Sequence, residues 1–132
     1  MKTVITFGTF DVFHVGHINL LQRASMYGDQ LFVGVSTDKL NFSKKGRNPI
    51  YHQNDRMKII NSLRYVNLCF PEESLEKKAE YIKYYKADVL VMGNDWEGKF
   101  DFLKDLCEVV YLPRTPSIST TELIEVISSS AE

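Results

Sequence analysis

Residues 6–17 read TFGTFDVFHVGH, with two glycines, an aspartate and two histidines crowded into twelve positions behind an apolar run. That run, TVITFG (3–8), has the β-branched and aromatic content of a buried strand. His17 then opens HINLLQRASMYG (17–28), where Ile18, Leu21, Ala24 and Ser25 share one helical face and Gly28 supplies a stop. A strand, a tight glycine-bearing turn and a helix, in that order, begin a βαβ crossover.

The rest of the chain keeps the rhythm. LFVGVS (31–36), NLCF (67–70), DVLVMG (88–93) and EVVYL (108–112) are further strand-like runs. Between them lie helical patterns in QNDRMKIINSLRYV (53–66), with Met57, Ile60 and Leu63 in phase, and in EESLEKKAEYIKYYK (72–86), with Leu75, Ala79 and Ile82. The expected architecture is α/β: a single doubly wound, Rossmann-like domain over residues 1–132 with a five-stranded parallel sheet. Residues 38–52, DKLNFSKKGRNPIYH, show no periodicity and carry Lys44, Lys45 and Arg47, so they read as a long basic loop after the second strand, beside the ligand crevice.

Bulk properties narrow the function. A length of 132 residues builds one core, and a composition of 44% hydrophobic and 25% charged residues is that of a globular protein. The net charge of -1 gives no general affinity for polyanions, which argues against nucleic acid as a partner; phosphate recognition must come from a local cluster. The apolar N-terminal run is broken by Thr3, Thr6 and Gly8 and is too short for a signal sequence or membrane span, so a cytoplasmic protein is expected. Cys69 and Cys107, with no partner spacing, read as apolar filler.

Two helix beginnings carry the chemistry. The first amides of the helix at His17 have no intrahelical acceptor and attract anions. Gly8 and Gly16 would let backbone approach a ligand, and His14 and His17 add donors at the same place. Far along the chain, PRTPSISTTELIEVI places Glu122 three residues after Ser119, a capping-box pattern that starts a helix at about Thr120 and gathers the hydroxyls of Ser119, Thr120 and Thr121, with Arg114 just upstream. If the first and last strands end at one crevice, both helix starts, two imidazoles and a guanidinium surround one polyphosphate. Singly, each piece has an ordinary structural reading: the histidines as capping or surface residues, the serine as a cap, Lys44 and Arg47 as a solvated loop, Lys78 as a helix charge beside glutamates, Asp95 as a turn residue, Asp11 as an acceptor for backbone amides. A histidine metal pair lacks a third ligand nearby in sequence, and no protein metal site is expected.

His14-Val15-Gly16-His17 resembles the HxGH signature of the nucleotidyltransferase superfamily, and RTPSISTT (114–121) resembles the second signature of its cytidylyltransferases. GNDWEGKFDFLKDLCEVVYLPRT (93–115) and LRYV (63–66) are similar to the glycerol-3-phosphate cytidylyltransferase branch, and the similarity runs from Val4 to about Ile127. The resemblance implies a CTP-dependent enzyme that, with Mg²⁺ carried on the nucleotide phosphates, joins CMP to a small phosphorylated acceptor, glycerol 3-phosphate first among them. It further implies a homodimer that supplies teichoic acid or capsule synthesis. Other acceptors such as phosphoethanolamine, an adenylyltransferase, or a nucleotide sensor without chemistry are the competing readings. By the same resemblance, Thr9, Phe10, Val15, Gly16, Arg47 and Asp95 belong to the nucleotide site, and His14 and His17 hold the triphosphate and its developing charge. Arg114, Thr115, Pro116, Ser117, Ile118, Ser119, Thr120 and Thr121 meet the phosphates and ribose; His14, His17, Lys44, Arg114 and Ser119 form the catalytic set. Lys44, Lys78, Asp11 and Arg64 meet the acceptor, and Arg56 and Asp38 match further charged residues near the site. Val15, Asn67 and Leu75 depart from the family's usual tryptophan, aspartate and tryptophan, the last two on the acceptor side or at a subunit contact.

Overall fold

The computed structural model describes residues 1–116 and 118–130. Among them, β1 (Thr3–Gly8), β2 (Gln30–Ser36), β3 (Leu68–Glu72), β4 (Val89–Gly93) and β5 (Glu108–Leu112) form one sheet in the order β3-β2-β1-β4-β5. Every neighbouring pair is parallel, as the alternation of strand and helix patterns requires.

Successive side chains on a strand point to opposite faces, and the core is divided accordingly. Val4, Val33, Val35 and Val91 pack with Leu21, Ala24 and Ile60, the buried apolar residues of α1 (Val15–Ser25) and α3 (Gln53–Asn61). Ile5, Phe7, Leu90 and Met92 face the other way, onto Ile82 of α4 (Lys78–Tyr85) and onto Phe100 and Leu103 near a 3-10 turn at Asp101–Leu103. The chain changes faces between β3 and β4, so the sheet is doubly wound, and its switch point lies between β1 and β4, where a ligand crevice opens beyond the strand ends.

The segment 38–52 is not a loop throughout. Its first half is the helix α2 (Asp38–Lys45): Thr37 caps it by accepting a hydrogen bond from Leu40 N at 3.1 Å, and Gly46 ends it in the left-handed conformation with φ 70°. The start and stop signals were there, but a single turn's worth of buried face, Leu40 and Asn41, leaves no apolar period to see. Conversely, the pattern over 53–66 stops being helix at Asn61, and that over 72–86 divides into a 3-10 turn at Leu75–Lys77 followed by α4. β3 runs on through Pro71, which an edge strand tolerates.

Candidate functional site

A crevice of about 390 Å³ opens at the carboxyl ends of β1, β4 and β5, between the starts of α1 and of α5 (Thr120–Ser130). Its first wall is the turn joining β1 to α1. Phe10 and Val12 both adopt left-handed backbone, with φ of 55° and 47°, which is unfavourable for an aromatic and more so for a β-branched residue. The surroundings hold the strain in place. The fully buried Arg56 guanidinium donates from Nη1 to the Thr9 carbonyl (2.9 Å) and the Ser36 carbonyl (2.7 Å), from Nη2 to Asp38 Oδ1 (2.7 Å) and from Nε to the Tyr51 carbonyl (3.0 Å). Thr9 Oγ1 donates to Asn41 Oδ1 at 3.0 Å, and the Phe10 ring is buried edge-on against His17. A Cβ on Gly8 would lie 2.8 Å from that ring, so the space freed by Gly8 is filled by the protein itself and not by a ligand.

Gly16 serves the same end. His14 is the N-cap of α1, and its Nδ1 accepts from Gly16 N at 3.0 Å; His17 Nδ1 accepts in turn from His14 N at 3.1 Å. A Cβ at position 16 would stand 2.7 Å from the His14 ring, so this reciprocal cap exists only with glycine there. The two imidazoles stack with centroids 3.8 Å apart. Because both Nδ1 atoms accept, the proton of each neutral ring sits on Nε2, the nitrogen left to donate to a ligand. Burial, then the neighbouring His14 and the Arg114 guanidinium against the pull of Asp11, push the His17 pKa down to about 4. Burial and Arg114 also lower that of His14. Both rings are neutral donors at pH 7, and the charge for an anion comes from Arg114 and the helix ends.

The opposite wall is the start of α5, and the two walls touch. Thr120 Oγ1 donates to the Asp11 carbonyl at 2.8 Å, Asn19 Nδ2 of α1 donates to Thr115 Oγ1 at 3.0 Å, and Arg23 Nη1 reaches the Pro113 carbonyl at 3.3 Å. Ser119 Oγ accepts from Glu122 N at 3.1 Å, the cap that the spacing predicts. Thr9, Phe10, His14, Gly16, His17, Asp95, Arg114, Thr115, Ile118, Ser119, Thr120 and Thr121 thus share one crevice, as does Arg47 on its far rim. Val15 is half exposed at the first turn of α1, Pro116 is exposed beside the crevice wall, and Ser117 lies outside the described residues.

Three charged residues stand elsewhere. Lys78 is buried, its ammonium 2.5 Å from Glu72 Oε2 and packed over the rings of Phe7 and Phe100, so it is spent on a carboxylate within the protein. Burial pushes the Glu72 carboxyl up against the pull of Lys78 and Lys44; such a pair is costly to break from one side. Lys44 does not line the crevice; burial lowers its pKa, Glu72 opposes, and Lys45 and Lys78 add to the lowering. Lys45, one residue on, is the lysine that lines the crevice, because a helical step of about 100° separates the two. Arg64 follows α3 at the amino ends of the strands, exposed, with Nη2 on the hydroxyl of Tyr65 at 3.1 Å, and the structure does not bring it to the crevice. Asn67 is at that same end. Its Oδ1 accepts from Leu31 N at 2.9 Å while its backbone N–H donates to the Leu31 carbonyl, so the residue serves strand pairing and not the crevice. Leu75 begins the 3-10 turn ahead of α4.

Among the described residues no group of three or more His, Cys, Asp or Glu side chains is placed to hold a metal ion. The carboxylates on the crevice are Asp11 and Asp95, and both oxygens of Asp11 accept backbone amides, from Ile50 and Tyr51. A donor set of N–H groups, hydroxyls and guanidinium suits phosphate oxygens.

The Cytidylyltransferase-like family model matches residues 5–130. The chain is 54% identical over 129 residues to the glycerol-3-phosphate cytidylyltransferase of Bacillus subtilis (strain 168), covering 97% of this chain and 98% of that one. It is 50% identical to the enzyme of the same name from Staphylococcus aureus (strain NCTC 8325 / PS 47), covering 93% and 92%. Among solved structures, the lipopolysaccharide core biosynthesis protein from Thermoplasma volcanium GSS1 superimposes with a TM-score of 0.77 at 24% identity, over 87% of this chain and 98% of that one, a likeness of fold. With a strained strand-to-helix turn, a reciprocal histidine cap and a second helix start meeting at the switch point of a parallel sheet, the chain belongs to the cytidylyltransferase-like family.

Proposed function

We propose that the protein transfers CMP from CTP to glycerol 3-phosphate, releasing pyrophosphate and CDP-glycerol. The observation that carries this reading is the meeting of the two helix starts across one crevice, with the Nε2 atoms of His14 and His17 on one side and Arg114, Ser119 and Thr120 on the other. Similarity to enzymes named for this reaction along nearly their whole length supports the choice of nucleotide and acceptor.

In this reaction a phosphate oxygen of the acceptor attacks the α-phosphorus of CTP. One P–O bond forms as the bond to the β-phosphate oxygen breaks in line, and pyrophosphate leaves with the electron pair. No protein nucleophile is required; holding the phosphates and stabilising the charge that builds on their oxygens is most of the catalysis. Neutral imidazoles donating from Nε2 meet that charge without giving up a proton, while Arg114 and the positive ends of the two helices hold the charge the triphosphate already carries. No group of side chains among the described residues would hold a metal, so Mg²⁺ would arrive with the triphosphate and would supply charge neutralisation there. Thr115 and Ile118 complete the nucleotide wall, and Lys45 and Arg47 supply the basic rim towards which an acceptor phosphate would be drawn; a role for Lys78 there requires that it leave Glu72.

No helix among the described residues is long and apolar enough to cross a membrane. A cytoplasmic homodimer that supplies CDP-glycerol for teichoic acid or capsule polymers is the setting we propose. The test is to incubate the protein with Mg²⁺, CTP and a mixture of glycerol 3-phosphate, phosphoethanolamine and other small polyol phosphates, and to identify the product by mass. CDP-glycerol as the dominant product supports the reading; another CDP-linked product, or no pyrophosphate release, overturns it.

A further inference from the structure

Asp11 is flanked by the two left-handed residues of the β1–α1 turn, and its polar atoms face in two directions. Its carbonyl accepts from Thr120 Oγ1 at the start of α5, while its carboxylate turns to a different part of the chain: Oδ2 accepts from Ile50 N at 2.7 Å and Oδ1 from Tyr51 N at 2.9 Å. Ile50 and Tyr51 close the segment that leaves α2 at Gly46 and carries Arg47 to the crevice rim. The far end of that segment is held independently, by Arg56 Nε on the Tyr51 carbonyl at 3.0 Å and by Asp38, which exchanges hydrogen bonds with Gln53.

A carboxylate with both oxygens on adjacent backbone amides makes two charge-assisted hydrogen bonds and is poorly placed to bind a phosphorylated substrate, which it would also repel. We propose that Asp11 is a positioning residue that latches the 46–51 segment to the β1–α1 turn, so that Arg47 is presented at the rim of the same crevice that the histidines line. This rests on the nucleotidyl-transfer reading for its consequence in catalysis, but the latch itself is a property of the ligand-free fold. The unusual backbone of the turn then has a purpose: left-handed residues on both sides let one residue join α5 through its carbonyl and the basic segment through its side chain.

The test has one arm that needs no activity. Trypsin cleavage after Arg47 in the ligand-free full chain reports how often the segment opens, and Asp11→Asn, which keeps one acceptor and loses the charge, should speed it by about tenfold or more. Ile50→Pro removes an amide donor while leaving the carboxylate untouched and should do the same. In steady state, Asp11→Asn should raise the KM for substrate by about tenfold while kcat changes by less than about threefold. In an Arg47→Ala background the Asp11→Asn effect on kcat/KM should shrink to about twofold or less, because the residue acts through the one already removed. Unchanged cleavage in both variants, or effects of Asp11→Asn and Arg47→Ala that multiply in full, overturn the proposal. If Asp11→Asn does not fold, Ile50→Pro decides it through the same cleavage assay. An inactive wild-type protein whose cleavage still depends on Asp11 would refute the functional reading and leave the latch standing.

Discussion

The two helix starts that face each other are built to different standards. At α1 the side chains bond back to the helix's own backbone, the turn ahead of it is strained and braced by a buried guanidinium, and Leu21 and Ala24 anchor the helix in the core. At α5 a single serine caps the helix, one threonine of the helix bonds across to the β1–α1 turn, and none of its described residues is buried. Rigidity on one side and compliance on the other fit a site where the histidines must hold fixed geometry for the transition state, while the second wall adjusts to the nucleotide as it enters. That contrast predicts that damage at α1 will appear in kcat and damage at α5 mainly in KM.

The largest effect is expected at His17. On the proposed function, replacing it with alanine removes a donor to the reacting phosphates, and kcat should fall by about 100-fold or more; a smaller loss confined to KM would erase the distinction between the walls. Gly16→Ala comes next, because its Cβ would displace the His14 ring from the amide it caps. Turnover should drop by about tenfold or more, with a melting temperature that moves little. On the other wall, Arg114→Ala should raise the KM for CTP by about tenfold, in line with the loss of charge-assisted phosphate contacts, and leave kcat nearer to normal. Ser119→Ala should be milder, costing about 1 kcal/mol of local helix stability and a few-fold in KM; equal losses of kcat at Ser119 and His17 would show that both walls are catalytic in the same sense.

The smallest effect sharpens the account of the histidines. With a folded pKa of about 4 against about 6.5 in the unfolded chain, His17 takes up its proton on unfolding throughout that window. The unfolded state binds more protons there, so stability rises with pH, is fully present above about 6.5 and is lost as the pH falls towards about 4. The melting temperature should decline between pH 7 and pH 5, and His17→Gln should decline less over the same range. An identical decline would mean that the ring is not buried as a neutral acceptor.

Legibility in the sequence followed the same divide. The β1 boundaries, the parallel sheet and the start of α5 at Thr120 were readable because apolar period and a side-chain cap both speak through residue type. The convergence of α1 and α5 followed from topology alone. What could not be read was anything held by long-range hydrogen bonds. Nothing in the residues Phe10 and Val12 announces left-handed backbone, since the bonds that sustain it come from Arg56, Asn41 and Thr120. The pairing of Lys78 with Glu72 was hidden by a sequence, EKKAE, in which the lysine looks like one more surface charge, although it faces inward from the first turn of α4. α2 was missed because its buried face includes a polar residue, Asn41, whose amide donates to Ser36 and Thr37.

If one triphosphate is held by both helix starts at once, the structure of the protein with CTP bound will show it. Phosphate oxygens are expected within hydrogen-bond reach of Nε2 of His14 or His17 on one side and of Ser119, Thr120 or Arg114 on the other. A triphosphate seated on α5 alone, with the imidazoles facing solvent, would contradict it.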